Sequence, residues 1–98
     1  MDFLVTLVQD WPALRDRADL ADLVAAERRA GGELLRSGVL RQIWRVPGQR
    51  ANVGVGQAEA ATGLHTQLAR LPLWPWLTAT VIPLAEHKVV TIAGPPDA

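Results

Sequence analysis

The chain contains no cysteine, has no net charge, and has no apolar run long enough to cross a bilayer. Without cysteine there are no disulfides, no thiolate catalysis and no cysteine-ligated metal. With two histidines and no close cluster of His, Asp and Glu, a dedicated metal site is not expected. Ten basic and ten acidic side chains cancel to a formal charge of 0. Nucleic-acid partners require a basic excess that neutralises phosphates, so none is expected. A polybasic membrane-surface role is not expected either. A bilayer span needs about 20 consecutive apolar residues, and no run approaches that. The opening Met1-Asp2-Phe3-Leu4-Val5 lacks the basic segment of a secretory signal, which makes the cytoplasm the default expectation.

What the chain does have is apolar surface. Its 98 residues suit a single domain over 1–98, with a loose tail over 93–98, and 49% of them are hydrophobic. A lone domain of this size buries only about 60–65% of its unfolded surface. Association with identical copies would hide more, so a homo-oligomer is expected.

Residues 2–9 read as a strand in which Phe3, Leu4, Val5, Leu7 and Val8 are apolar on both parities of the pleat, as in a sheet covered on both faces. Asp10-Trp11-Pro12 breaks it. Residues 17–36 read as a helix with Asp16 as N-cap, an apolar stripe through Leu20, Leu23, Val24, Ala30 and Leu34, and Gly38 at its C-terminal end. Gly31 and Gly32 inside it suggest room for a close neighbour. Residues 39–46 and 51–57 form a hairpin around Pro47-Gly48-Gln49-Arg50. Residues 58–70 form a second helix; Pro72 and Pro75 then interrupt, and 77–84 is the last strand. The order β-α-β-β-α-β is the split βαβ pattern. The fold class is therefore α+β, ferredoxin-like, an antiparallel four-stranded sheet with two helices on one face and another subunit expected on the other.

Glu27 carries the chemistry. It falls on the apolar stripe of the first helix, four residues after Leu23 and three before Ala30, so it should point toward the sheet. Burial penalises an ionised carboxyl and raises its pKa, which suits it to take a proton from carbon and return it elsewhere. The competing reading is a Glu at the stripe's edge, paired with Arg28 or Arg45. Arg41 and Arg45 share one strand face about Ile43 and could hold a substrate carboxylate, or form a solvated face or a subunit ion pair. Asn52 could donate to a carbonyl or cap the hairpin. His65, beside apolar Leu64 on the second helix, reads as a structural or interfacial His. The four tryptophans, Trp11, Trp44, Trp74 and Trp76, could line an apolar pocket, and equally serve a core or an interface.

These residues resemble the muconolactone Δ-isomerase family. The resemblance runs from Leu23, Ala25 and Glu27 through Gly38, Trp44-Arg45, Gly48 and Ala51-Asn52. It continues in Leu64-His65, Leu71-Pro72-Leu73, Pro75, Val81, Pro83-Leu84 and His87. The resemblance implies a cofactor-free cytoplasmic enzyme with a dimeric α/β-barrel assembly, dimers that join into rings as large as decamers, and a small-molecule lactone substrate. It also implies that Glu27 carries the proton and that Arg45, Asn52 and His65 form or support the pocket. Family members commonly carry a Lys where this chain has Val24, and an aromatic where it has Arg50, which would restore the positive charge. Gly54 and Gly56, on the Asn52 face, imply lost side-chain volume and a larger ligand. Three expectations result: a lactone isomerase; a cyclase, dehydratase or lyase on a larger natural-product intermediate; and a non-catalytic oligomeric ligand-binding domain.

Overall fold

Period-two burial organises the sheet. In strand β1 (Asp2–Gln9), Phe3, Val5 and Leu7 are buried, whereas Leu4 and Thr6 are half-buried and Val8 is exposed. The computed structural model describes residues 1–87 and Val89, so the tail expected over 93–98 lies outside the described residues. Asp10 ends β1 and its carboxylate accepts the Ala13 N–H at 3.3 Å, which starts a one-turn helix α1 (Trp11–Leu14). A proline in the first turn of a helix loses no intrahelical bond, so Pro12 both stops the strand and opens this helix. The sequence reading had found only the stop.

Helix α2 spans Leu20–Arg36, three residues later than expected, with Asp19 rather than Asp16 at the N-cap position. Asp19 makes no side-chain cap bond, because Arg17 takes both its oxygens at 2.9 and 3.1 Å. Gly31 has no heavy atom within 4 Å of where a Cβ would sit, and Gly32 meets only the Arg36 guanidinium, so no neighbour packs against this pair. Gly38 takes φ +83° and closes the helix as expected.

Strands β2 (Leu40–Arg45) and β3 (Ala51–Gln57) form the hairpin, with Gly48 at φ +78° in the turn. Helix α3 (Ala61–Leu68) is shorter than expected at both ends. A 3₁₀ turn, Trp74–Trp76, leads into β4 (Leu77–Leu84). The strand order is β2-β3-β1-β4, every pair antiparallel. This is the expected ferredoxin-like α+β sheet, with α2 and α3 packed on the face carrying Phe3, Val5 and Leu7.

That face is closed at one end. Phe3 pairs with Gly56 and Val5 with Gly54, so β3 offers bare backbone opposite two buried side chains. A Cβ at Gly56 would lie 3.0 Å from both Leu64 methyls, and one at Gly54 would lie 2.6 Å from the Gln42 carbonyl oxygen. The volume expected to be free for a larger ligand is thus taken by α3 and by the β2 backbone. Leu64 and Leu68 are fully buried there with Phe3 and Leu40. The opposite sheet face, in register with Val8, exposes Trp44, Ile82 and Leu84 at 41–48% of their surface.

The two kinds of glycine separate cleanly. Gly54→Ala is expected to lower the unfolding free energy by about 1–3 kcal/mol, because backbone has to move. Gly31→Ala should be neutral or stabilising by up to about 1 kcal/mol. Urea midpoints at constant m value check both, and equal shifts would contradict the close approach of β2.

Candidate functional site

At the other end of the same face the sheet is not covered. Leu7 pairs with Asn52, and Arg45 also pairs with Asn52, which brings three strands to one spot. A cleft of about 760 Å³ opens there. Gln9, Arg45, Ala51 and Asn52 line it from the strands. Leu20, Val24, Glu27 and Arg28 line it from α2, whose apolar stripe turns these side chains toward the sheet. Trp11 and Leu14 of α1, the turn residues Gly48–Arg50, and Leu73 complete it.

Short contacts hold the rim. The Gln9 N–H donates to the Arg50 carbonyl at 2.9 Å, and the Asp10 N–H donates to the Trp76 carbonyl at 2.8 Å. The Arg50 guanidinium lies 3.7 Å over the Trp11 ring, and the Arg17 guanidinium 4.6 Å over Trp76. Cation–π contacts of this kind fix ring and guanidinium together without neutralising the charge.

Glu27 is half-buried, and its Oε1 is fully buried with no hydrogen-bond partner. Among the described residues no cation lies within 4 Å of its carboxylate, so the pairing with Arg28 or Arg45 is not made. Burial raises the carboxyl above its usual value, and the Leu73 backbone amide opposes part of that rise. A carboxyl in this state is a stronger base than one in water.

Four of the eight residues singled out in the sequence meet in this cleft: Glu27, Arg45, Arg50 and Asn52. The other four do not line it. Arg41 does not share a face with Arg45, because the β2–β3 register shifts between Leu40 and Gln42, and Arg41 pairs instead with Asp2 at 3.1 Å. Trp44 has the opposite parity to Arg45 and faces away from the helices, 48% exposed. His65 sits on α3 edge-on to Trp74, with 5.3 Å between ring centroids. Trp76 stacks under Arg17. The sequence reading missed Gln9 and Leu73, which line the cleft, named Trp11 only among four tryptophans that could line a pocket, and treated Arg28 only as a partner for Glu27. Asp10 followed by Trp11-Pro12 is a one-turn helix signal that would have placed Trp11. Among the described residues no group of three or more His, Asp or Glu side chains comes together, and no helix is long and apolar enough to cross a membrane.

The model of the muconolactone delta-isomerase family matches residues 1–89. Muconolactone delta-isomerase of Rhodococcus opacus is 37% identical over 76 residues, which is 78% of this chain and 76% of that protein. Muconolactone delta-isomerase 2 of Acinetobacter lwoffii is 33% identical, with 89% of this chain and 91% of that protein aligned. A crystal structure of muconolactone isomerase superposes with a TM-score of 0.78 at 33% identity, covering 89% of this chain and 91% of that one. A 5-chloro-2-hydroxyhydroquinone dehydrochlorinase from Burkholderia phenoliruptrix superposes at a TM-score of 0.68 with 16% identity, a likeness of fold alone.

Desolvation of Glu27 has a signed consequence for stability. Its folded value is raised, so the neutral form is favoured in the native state and the contribution is fully present below about 4.5, the ordinary value. That contribution is lost as pH rises through the folded value. Glu27→Gln cannot ionise, so wild type should lose stability relative to this variant as pH rises above about 4.5, the ordinary carboxyl value. Paired urea titrations read the difference, and a pH-independent gap would mean the carboxyl is fully solvated.

Proposed function

This chain belongs to the muconolactone Δ-isomerase family of acid–base isomerases, and we propose that it shifts the double bond of a small unsaturated lactone carboxylate with Glu27 as the proton carrier. The observation that carries the reading is the Glu27 Oε1, buried without a partner at the wall of a cleft large enough for a small molecule. Unpartnered buried carboxylate oxygen is costly, and it is retained where a ligand can satisfy it.

The step needs no group beyond the side chains. The Glu27 carboxylate takes a proton from a carbon of the substrate that is acidified by the lactone carbonyl. The C–H electrons move onto the carbonyl oxygen as a conjugated enolate. The Glu27 carboxylic acid then returns the same proton to the far carbon of the conjugated system, and the double bond has moved with no atom gained or lost. The Asn52 amide donates to the enolate oxygen, where negative charge develops; its cross-strand register with Arg45 and its position in the cleft lining support this role. Arg45 holds the substrate carboxylate. Trp11, Leu14 and Leu20 keep that corner of the cleft apolar, which strengthens each of these interactions.

The reading of a larger natural-product ligand drew on Val24, Gly54 and Gly56; the space at the two glycines is filled by Leu64 and β2, and Val24 lines the cleft. The non-catalytic reading, drawn from Val24 in place of the family's Lys, would gain from a Glu27 in open water away from any cavity, and Glu27 is half-buried beside a cleft. The chain acts as a homodimer through the open sheet face, where Val8, Trp44, Ile82 and Leu84 form an apolar surface. Dimers that join further, up to a decamer, and a cytoplasmic setting complete the proposal.

Glu27→Gln should lower kcat on muconolactone-type substrates by about 10²–10⁴-fold with little change in KM, the span expected for loss of general acid–base catalysis. A variant with full activity would remove Glu27 from the mechanism. Trp44→Asp should shift the sedimentation profile from dimer or larger toward monomer. An unchanged profile would place the subunit contact elsewhere.

A further inference from the structure

The chain as a whole is electrically balanced, but the cleft is not. Three guanidiniums line it, Arg28, Arg45 and Arg50, and Glu27 is its only acidic residue. Among the described residues none of the three arginines makes an ion pair, whereas Arg15, Arg17, Arg36 and Arg41 all do. Unpaired surface arginines are ordinary one at a time. Three converging on one concavity, against a single carboxyl, make a local positive potential that attracts anions. One substrate carboxylate uses one guanidinium in a two-bond clamp and leaves the others without partners.

They also stand on different elements. Arg45 lies on β2, in register with Asn52 at the cleft floor. Arg50 ends the β2–β3 turn, with its guanidinium laid on Trp11 of α1. Arg28 is on α2, directly after Glu27. A strand, a turn and a helix thus each bring one guanidinium to a cleft of about 760 Å³, so a ligand with more than one anionic group can meet more of them than a single carboxylate does. The volume exceeds what one five-membered ring with a short acid arm fills, so a second substituent has somewhere to go.

We propose that the preferred ligand is a lactone bearing two carboxylates, the first held by Arg45 beside the reacting carbons and the second by Arg50 and Arg28 at the rim. This inference rests on the lactone isomerase reading and narrows its substrate class. Arg50 leaves its place over Trp11 to meet the second carboxylate, and the indole reports the change.

Saturated γ-lactones cannot isomerise, so they separate binding from turnover. A saturated γ-lactone with one carboxymethyl arm is compared with the same ring carrying a further carboxylate, each titrated into the full chain while tryptophan fluorescence is read. The dicarboxylate should bind about tenfold or more tightly, the effect of one added charge-assisted pair. Its affinity should also fall more steeply with salt. Arg50→Gln should bring the preference to within about twofold, and Arg28→Gln should reduce it partly. A Trp11→Phe variant should lose most of the fluorescence response while still preferring the dicarboxylate by competition. Equal affinity for the two ligands, or a preference untouched by Arg50→Gln, overturns the inference. If monocarboxylate lactones bind and their unsaturated forms are turned over without such a preference, the isomerase reading stands and this one falls. If neither lactone binds, both fall.

Discussion

Where the helices settle on the sheet depends on the bare backbone of β3. Gly56 lets both Leu64 methyls come within 3.0 Å of the position a Cβ would take, and Gly54 lets the β2 backbone come closer still. These contacts pull α3 and β2 onto the Phe3–Val5 end of the sheet and make the tight core there. Interiors at crystal-like density leave no room for ligands, so the closed end cannot be a site. The other end, where Asn52 and Arg45 replace glycine and aliphatic residues, is the part of the face that the helices leave open.

Function follows from that asymmetry. α2 lies along the sheet from the open end to the closed one, so one apolar stripe packs Leu34 in the core and carries Glu27 to the cleft wall. A carboxyl there sits between two solvents. It is withdrawn enough to resist ionisation, yet it adjoins space a substrate can enter. The same stripe that stabilises the fold thus positions the group that the fold can least easily solvate. Such local conflict between stability and polarity is common at sites of chemistry.

Charge is distributed on the same plan. The ion pairs Arg17–Asp19, Arg36–Glu33 and Arg41–Asp2 lie on exposed surface, where each contributes little to stability. None of the cleft arginines Arg28, Arg45 and Arg50 takes part in an ion pair among the described residues. Two guanidiniums also rest on indoles. Arg17 on Trp76 and Arg50 on Trp11 tie α1 and the following loop to the strand ends around the cleft.

The element order, the α+β class and the inward face of Glu27 follow from the sequence alone, because hydrophobic period and turn residues are local and α2 is long enough to show its stripe clearly. Gly38 and the Gly48 turn were equally legible, since positive φ is a local demand that glycine meets. The meeting of Glu27 with Arg45, Arg50 and Asn52 was decided by strand pairing. A single register shift between Leu40 and Gln42 separated Arg41 from Arg45, and strand parity sent Trp44 to the far face. Neither the shift nor the filling of the glycine space by Leu64 has any signature within its own segment. Both arise when distant stretches pack, because a register or a cavity belongs to two strands or two layers at once.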